Sequence, residues 1–82
     1  MKKVHELKTL PKYFVAVAAG RKTFEIRKND RDFKIGDKVT LKEWDGEYTG
    51  QEVDVVITYI TDYEQKEGYI VFSIQLIRWE AL

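Results

Sequence analysis

The amino-acid sequence predicts an α+β fold: a small β-barrel of about five strands capped by one short helix. Three observations carry that expectation. Most of the chain alternates apolar and polar residues with the period of two that marks a half-buried strand. A single segment, residues 11–19, breaks the pattern with helical spacing. Residues 51–63 read as one long strand, and a strand of that length in so small a domain bends to serve both sides of a barrel.

The elements follow in order. Residues 4–7 begin a first strand. Thr9-Leu10-Pro11 marks a helix start, because Pro lacks an N–H that the first turn leaves unused and Thr9 is the candidate cap. Tyr13, Phe14, Val17 and Ala18 share a helical face, and Gly20 fits the stop. A helix of about nine residues does not persist alone in water, so it docks on a sheet. Residues 23–27 alternate again, with Phe24 and Ile26 expected in the core and Thr23, Glu25 and Arg27 on the opposite side. Residues 28–32 form a polar turn, Phe33 and Ile35 anchor the chain, and Gly36-Asp37 marks the next turn. Residues 38–44 are a strand with Val39 and Leu41 inward. Asp45-Gly46 signals a hairpin into the long strand, where Val53, Val55, Ile57 and Tyr59 share a face. An acidic loop at 62–68 leads to a last strand, 69–79. Ile70, Val71, Phe72, Ile74, Leu76 and Ile77 make both of its faces apolar, as in a doubly covered central strand.

The chain of 82 residues is expected to form one domain, residues 1–82, with a small core. At 44% hydrophobic and 34% charged it reads as a folded globular domain and not a disordered one. The lack of cysteine excludes a disulfide framework, a Cys-based zinc site and a Cys nucleophile. One histidine makes no metal constellation, so neither metal nor cofactor is expected. No stretch approaches the roughly 20 apolar residues of a membrane span. No apolar run follows Lys2 and Lys3 as in a signal peptide. A cytoplasmic protein without a membrane partner is expected; its oligomeric state is not legible.

The formal net charge of zero hides an asymmetry. Residues 1–42 carry nine Lys and three Arg against five acids, a net +7, and residues 43–82 carry Lys66 and Arg78 against nine acids, a net −7. Either the halves attract each other within one domain, or a basic face meets an anion such as nucleic acid or a nucleotide phosphate. The balanced total argues against strong nonspecific nucleic-acid binding, because the acidic half repels phosphate.

Charge concentrates in residues 20–31, which hold Arg21, Lys22, Glu25, Arg27, Lys28, Asp30 and Arg31. A strand serving only a core does not need that density, so the stretch reads as the wall of a polar cleft. Gly20-Arg21-Lys22-Thr23-Phe24-Glu25-Ile26-Arg27, following a short helix, fits Gly-x-Lys-x-x-Glu-x-Arg and resembles the signature of the ASCH domains of the PUA-like superfamily. The wider run is similar to small ASCH-like proteins of bacteria and their phages. It comprises His5-Glu6-Leu7-Lys8, Pro11-x-Tyr13-Phe14, Asn29-Asp30-Arg31, Phe33-x-x-Gly36-Asp37, Glu43-Trp44 and Tyr48-Thr49-Gly50.

The resemblance implies a PUA-like barrel with a cleft between the helix and the 22–27 strand. It implies RNA, or a modified nucleoside or nucleotide, as partner. One small ASCH-type bacterial enzyme deacetylates N4-acetylcytidine with a Lys, a Thr and a Glu. Its Gly-Arg-Lys-Thr run is matched by Gly20-Arg21-Lys22-Thr23, so its Lys falls on Lys22. Its Thr lies two residues beyond Thr23, where this chain has Glu25.

The binding candidates are His5, Lys8, Lys22, Glu25, Arg27, Asn29, Asp30, Arg31 and Trp44; in an enzyme, Lys22, Thr23 and Glu25 would be the catalytic ones. A lysine works as base or nucleophile only where its surroundings favour the neutral amine. Arg21, Arg27 and Arg31 push that way and Glu25 opposes them. Arg27 and Arg31, with Lys8 and Lys28, suit phosphate. Asn29 and Asp30 either read a base edge or serve as turn residues. His5 either lines the cleft as an acid–base group or is an ordinary polar residue on the first strand. Tyr13, Trp44, Tyr48, Tyr59, Tyr63, Tyr69 and Trp79 are candidate stacking platforms; most are expected to fill the core, and Trp44 and Tyr48, which flank the hairpin, are the best placed for exposure. Binding of RNA or a nucleobase-containing ligand is the first expectation. Hydrolysis of an acylated nucleoside is the alternative, and a protein-interaction module the third.

Overall fold

The structure, a computed structural model, describes residues 3–78. Its elements are β1 (Val4–Thr9), α1 (Pro11–Ala18), β2 (Phe24–Lys28), β3 (Lys38–Trp44), β4 (Tyr48–Thr61) and β5 (Tyr69–Arg78). The strands form one curled sheet in the order β1-β3-β4-β5-β2, and α1 packs against β3. The β1–β3 pair is parallel and the remaining pairs are antiparallel. The concave side holds the core: Leu7, Phe14, Val17, Phe33, Val39, Leu41, Val53, Val55, Ile57, Ile70, Phe72 and Ile74. Trp79 lies outside the described residues.

Helix α1 ends as expected and starts differently. Ala19 is its C-cap, and Gly20, at φ 78°, follows in the left-handed region. Gly20 N–H donates to Val17 O and Arg21 N–H to Ala16 O, both at 2.9 Å, which is a Schellman closure. At the other end the N-cap is Leu10, with no side-chain cap. Thr9 belongs to β1 instead, buried, its Oγ1 3.5 Å from Leu7 O.

The structure corrects the expected facing of β2. Phe24 and Ile26 are 45% and 54% exposed, whereas Glu25 is 4% exposed. The register explains the inversion. Glu25 pairs with Phe72 and Arg27 with Ile70, both core residues of β5, so odd-numbered positions of β2 point inward. Two further expectations change for similar reasons. The β4–β5 register shifts between Ile57 and Tyr59, which turns Tyr59 outward and Ile60 toward the core. Strand β5 is internal to the sheet but covered on one face only: Ile70, Phe72 and Ile74 on that face are buried, Gln75 on the other is exposed, and toward the strand's end Leu76 and Ile77 are exposed as well. Ile35 is exposed as well, leaving Phe33 as the buried anchor of its loop.

The edges of the sheet, β1 and β2, are bridged by arginine side chains. Arg27 Nη2 donates to Lys8 O at 3.0 Å and Arg31 Nη1 to Glu6 O at 2.6 Å. Carbonyls two residues apart on a strand point to the same side, so both guanidinium groups serve the free edge of β1. The curl is thereby held closed by side chains where a barrel would have a backbone ladder.

Candidate functional site

The inversion of β2 builds the site. Glu25 projects from an edge strand toward the seam, flanked by Lys22 just before the strand and by Arg27 two residues on. Lys22 Nζ donates to Glu25 Oε2 and, at 2.6 Å, to Phe24 O. Arg27 Nε donates to Glu25 Oε1 at 3.0 Å. Each carboxylate oxygen thus has its own cation, and a carboxylate this buried is tolerable only with such partners. The Schellman closure of α1 places Lys22, because Lys22 N–H also donates to Ala16 O, at 3.0 Å.

A cavity of about 420 Å³ opens over this triad, lined by Lys8, Thr9, Leu10, Tyr13, Lys22, Phe24, Glu25, Ile26 and Arg27. Its walls are the side chains of Leu10, Tyr13, Phe24 and Ile26, and its polar groups are Lys22, Glu25 and Arg27 with Lys8 at β1. The Lys22 ammonium stands 4.8 Å from the Phe24 ring centroid and 5.7 Å from that of Tyr13, within reach of both aromatic faces. Apolar walls with a few convergent charges describe a candidate ligand pocket, and the volume is on the scale of one small molecule. Chemically the triad offers N–H donors from Lys22 and Arg27 and an acceptor in Glu25. A planar group with both donors and acceptors on its edge is matched by that set.

The other candidates are distributed as follows. Lys8 lines the cavity and its Nζ lies 4.9 Å from the Trp44 ring centroid, so Trp44 adjoins the cavity through Lys8 without lining it. Arg31 sits on the seam beside Arg27. Asn29 and Asp30 are exposed and outside the lining: Asn29 Oδ1 accepts from Phe33 N–H at 3.4 Å and Asp30 N–H donates to Lys28 O at 2.9 Å, both local turn bonds. Thr23 is exposed, joined to β5 through its carbonyl, which accepts from Ile74 N–H at 2.9 Å.

His5 is placed away from the cavity. It is buried, its Nε2 pairs with Asp37 Oδ2 at 2.8 Å, and its ring packs on Phe33 at 4.6 Å between centroids. In the sequence the buried Asp37 reads only as a turn residue. Burial pushes its carboxyl up, but the bonds from His5, Lys34 N–H and Lys3 N–H outweigh this and hold it below its ordinary 3.8. This pair ties the start of β1 to the end of the loop that carries Arg31.

Sequence reasoning missed Thr9 and Leu10 as lining residues, and offers Tyr13 only as one of seven aromatic stacking candidates of which most are expected in the core. Their signal was positional: the start of a helix that follows a strand directly lies at the strand's end, beside whatever the strand lines.

Comparison with known proteins places the chain. Residues 4–74 match the family described as a domain of unknown function, DUF3850. A protein of Escherichia phage P2, described as an uncharacterized 12.9 kDa protein in the GpA 3′ region, is 46% identical over 63 residues, 76% of this chain. The match spans 58% of that relative's length. With the family match covering β1 to the middle of β5, and so every residue that lines the cavity, the chain belongs to the DUF3850 family.

Proposed function

We propose that the domain binds RNA or a nucleobase-containing ligand, with the base in the cavity beside Lys22, Glu25 and Arg27. The observation that carries this reading is the cavity itself: base-sized, apolar at its walls, with donors and an acceptor converging on one buried carboxylate. The resemblance of Gly20–Arg27 to the ASCH signature supports it, since PUA-like domains commonly bind RNA. Arg31, Arg27 and Lys8 form a cationic margin on the seam, where a ligand phosphate competes with the neutral carbonyls of Glu6 and Lys8 for the guanidinium groups.

Binding is favoured over hydrolysis because Lys22 Nζ already serves two acceptors. A nucleophilic amine would first have to leave both. The contact of Lys22 with Glu25 inside the cavity keeps hydrolysis of an acylated nucleoside as a second reading, tested by turnover of N4-acetylcytidine that Lys22→Ala abolishes. Fluorescence anisotropy with single-stranded RNA and with nucleotides tests the first. Affinity is expected to fall with salt, and Arg31→Ala to reduce the salt slope by about one. Arg27→Ala is expected to weaken binding at least about tenfold, the scale of one lost charged contact. If neither substitution alters binding to any RNA or nucleotide tested, the reading is wrong.

A further inference from the structure

The outer, convex face of the sheet is divided into two unlike halves. Over β1, β3 and the first part of β4, cross-strand rows run Glu6–Thr40–Asp54 and Lys8–Lys42–Glu52. That half is wired for water: Lys38 pairs with Asp54 at 3.3 Å, Lys42 with Glu6 at 3.8 Å, and Thr40 Oγ1 donates to Asp54 at 2.7 Å. Over β2, β5 and the end of β4, the rows are Ile26–Val71–Thr61 and Phe24–Ser73–Tyr59, with Tyr69 beside Lys28 at the margin. None of the six residues in those two rows is charged, in a chain that is 34% charged. Phe24, Ile26, Tyr59 and Tyr69 are nonetheless exposed, Tyr59 at 62%.

We infer that this uncharged half-face is a self-association surface, and that its occupant is a second copy of the chain packed sheet to sheet across a two-fold axis. Three properties select that occupant. First, a two-fold contact sets this patch against its own copy, and a patch whose two rows hold no charge matches that copy in polarity and buries no ion on either side. Second, the formal net charge of the chain is zero, so two copies carry no global repulsion to overcome. Third, the exposed aromatic and aliphatic side chains present roughly 400 Å². That is the apolar centre of an interface whose standard size is about 800 Å² per partner, with Lys28 and Gln75 supplying polar rim. Stacked sheets lie about 10 Å apart, close enough for these side chains to interdigitate. Because Phe24 and Ile26 also wall the cavity, the second copy lies against the outer side of the ligand site. The inference does not depend on which ligand that site takes.

Sedimentation equilibrium of the full chain, from low micromolar to about 500 μM, tests it, since a Kd as weak as 100 μM still shows in that range. A reversible monomer–dimer equilibrium is expected, with Tyr59→Lys weakening it at least about tenfold, as removal of an aromatic anchor does. Tyr59 lines no part of the cavity, and far-UV circular dichroism confirms that the variant is folded. Lys42→Glu, on the charged half, is expected to leave the equilibrium unchanged. Should Tyr59→Lys not fold, concentration-dependent amide shifts of the wild type replace it, expected on β2, β5 and the end of β4. A wild type that stays monomeric at the highest concentration overturns the inference, even if another protein is found to bind this face. So does a dimer that Tyr59→Lys leaves intact, or shifts confined to β1 and β3.

Discussion

Glu25 and Ile26 are neighbours whose roles are the reverse of their polarity. The charged residue is buried and the aliphatic one is half in water. The cost of removing each follows from its partners. Without the Glu25 carboxylate, Lys22 and Arg27 are left close together beside apolar walls with no counter-charge. Both cations retain partial contact with solvent, which puts the loss below that of a fully buried pair. Glu25→Ala is expected to lower stability by about 2 kcal/mol in urea unfolding. Ile26→Ala, assayed at low micromolar concentration, is expected to cost less than about 1 kcal/mol, because a side chain already half exposed loses little burial. The opposite ranking would mean that β2 is in the other register.

Among the elements, the edge strands β1 and β2 are the weak point of the sheet. A strand edge left unpaired exposes backbone acceptors, and here Arg27 and Arg31 supply the donors that a sixth strand would supply. Each bond is charge-assisted but partly exposed, and contributes about 1 kcal/mol. Arg31→Ala is therefore expected to loosen β1 from the rest of the sheet without unfolding it. The readout is hydrogen exchange of the Leu7 amide. It faces β3, because the Glu6 and Lys8 carbonyls on either side of it face the arginines. About fivefold faster exchange corresponds to that energy, and unchanged exchange would show that the seam does not depend on the bond. The same two arginines are the cations offered to a phosphate, so ligand binding and seam closure draw on the same donors.

For the molecule as a whole, the charge asymmetry is not resolved by pairing across the halves. Among the described residues Lys38–Asp54 joins them, whereas Lys22–Glu25, Arg27–Glu25, Lys34–Asp32 and Lys42–Glu6 all lie within the basic half. Asp37 has its folded-state carboxyl held below its ordinary 3.8. A lowered folded value means that ionised Asp37 stabilises the fold above pH 3.8 and that this contribution fades as pH falls through the folded value. Unfolding followed between pH 7 and 2 should show this loss below about pH 4. Asp37→Asn is expected to flatten that part of the profile and to cost about 2 kcal/mol at pH 7, the scale of hydrogen bonds lost from a buried carboxylate. An Asp37→Asn profile parallel to that of the wild type would assign the acid loss to other carboxylates.

The sequence by itself determined the elements and their order. Period-two runs, the Pro11 start, the Gly20 stop and the Asp45-Gly46 hairpin are local signals, and local signals suffice to end helices and turn strands. It also determined that residues 20–31 carry the charge that a site needs. The tertiary structure alone decided which way that charge points. In Phe24–Lys28 the apolar positions alternate with charged ones, and alternation identifies two faces without saying which is inside. The β2–β5 register, set by residues some 45 positions away in sequence, turned Glu25 in and Phe24 out. The same physics hid Asp37 and His5, whose burial rests on a pairing across 32 residues, and the place of Tyr13, which lines the cavity because α1 starts at the end of β1. A buried carboxylate with two cations is affordable only where its partners are in place, and their placement is a property of the folded sheet.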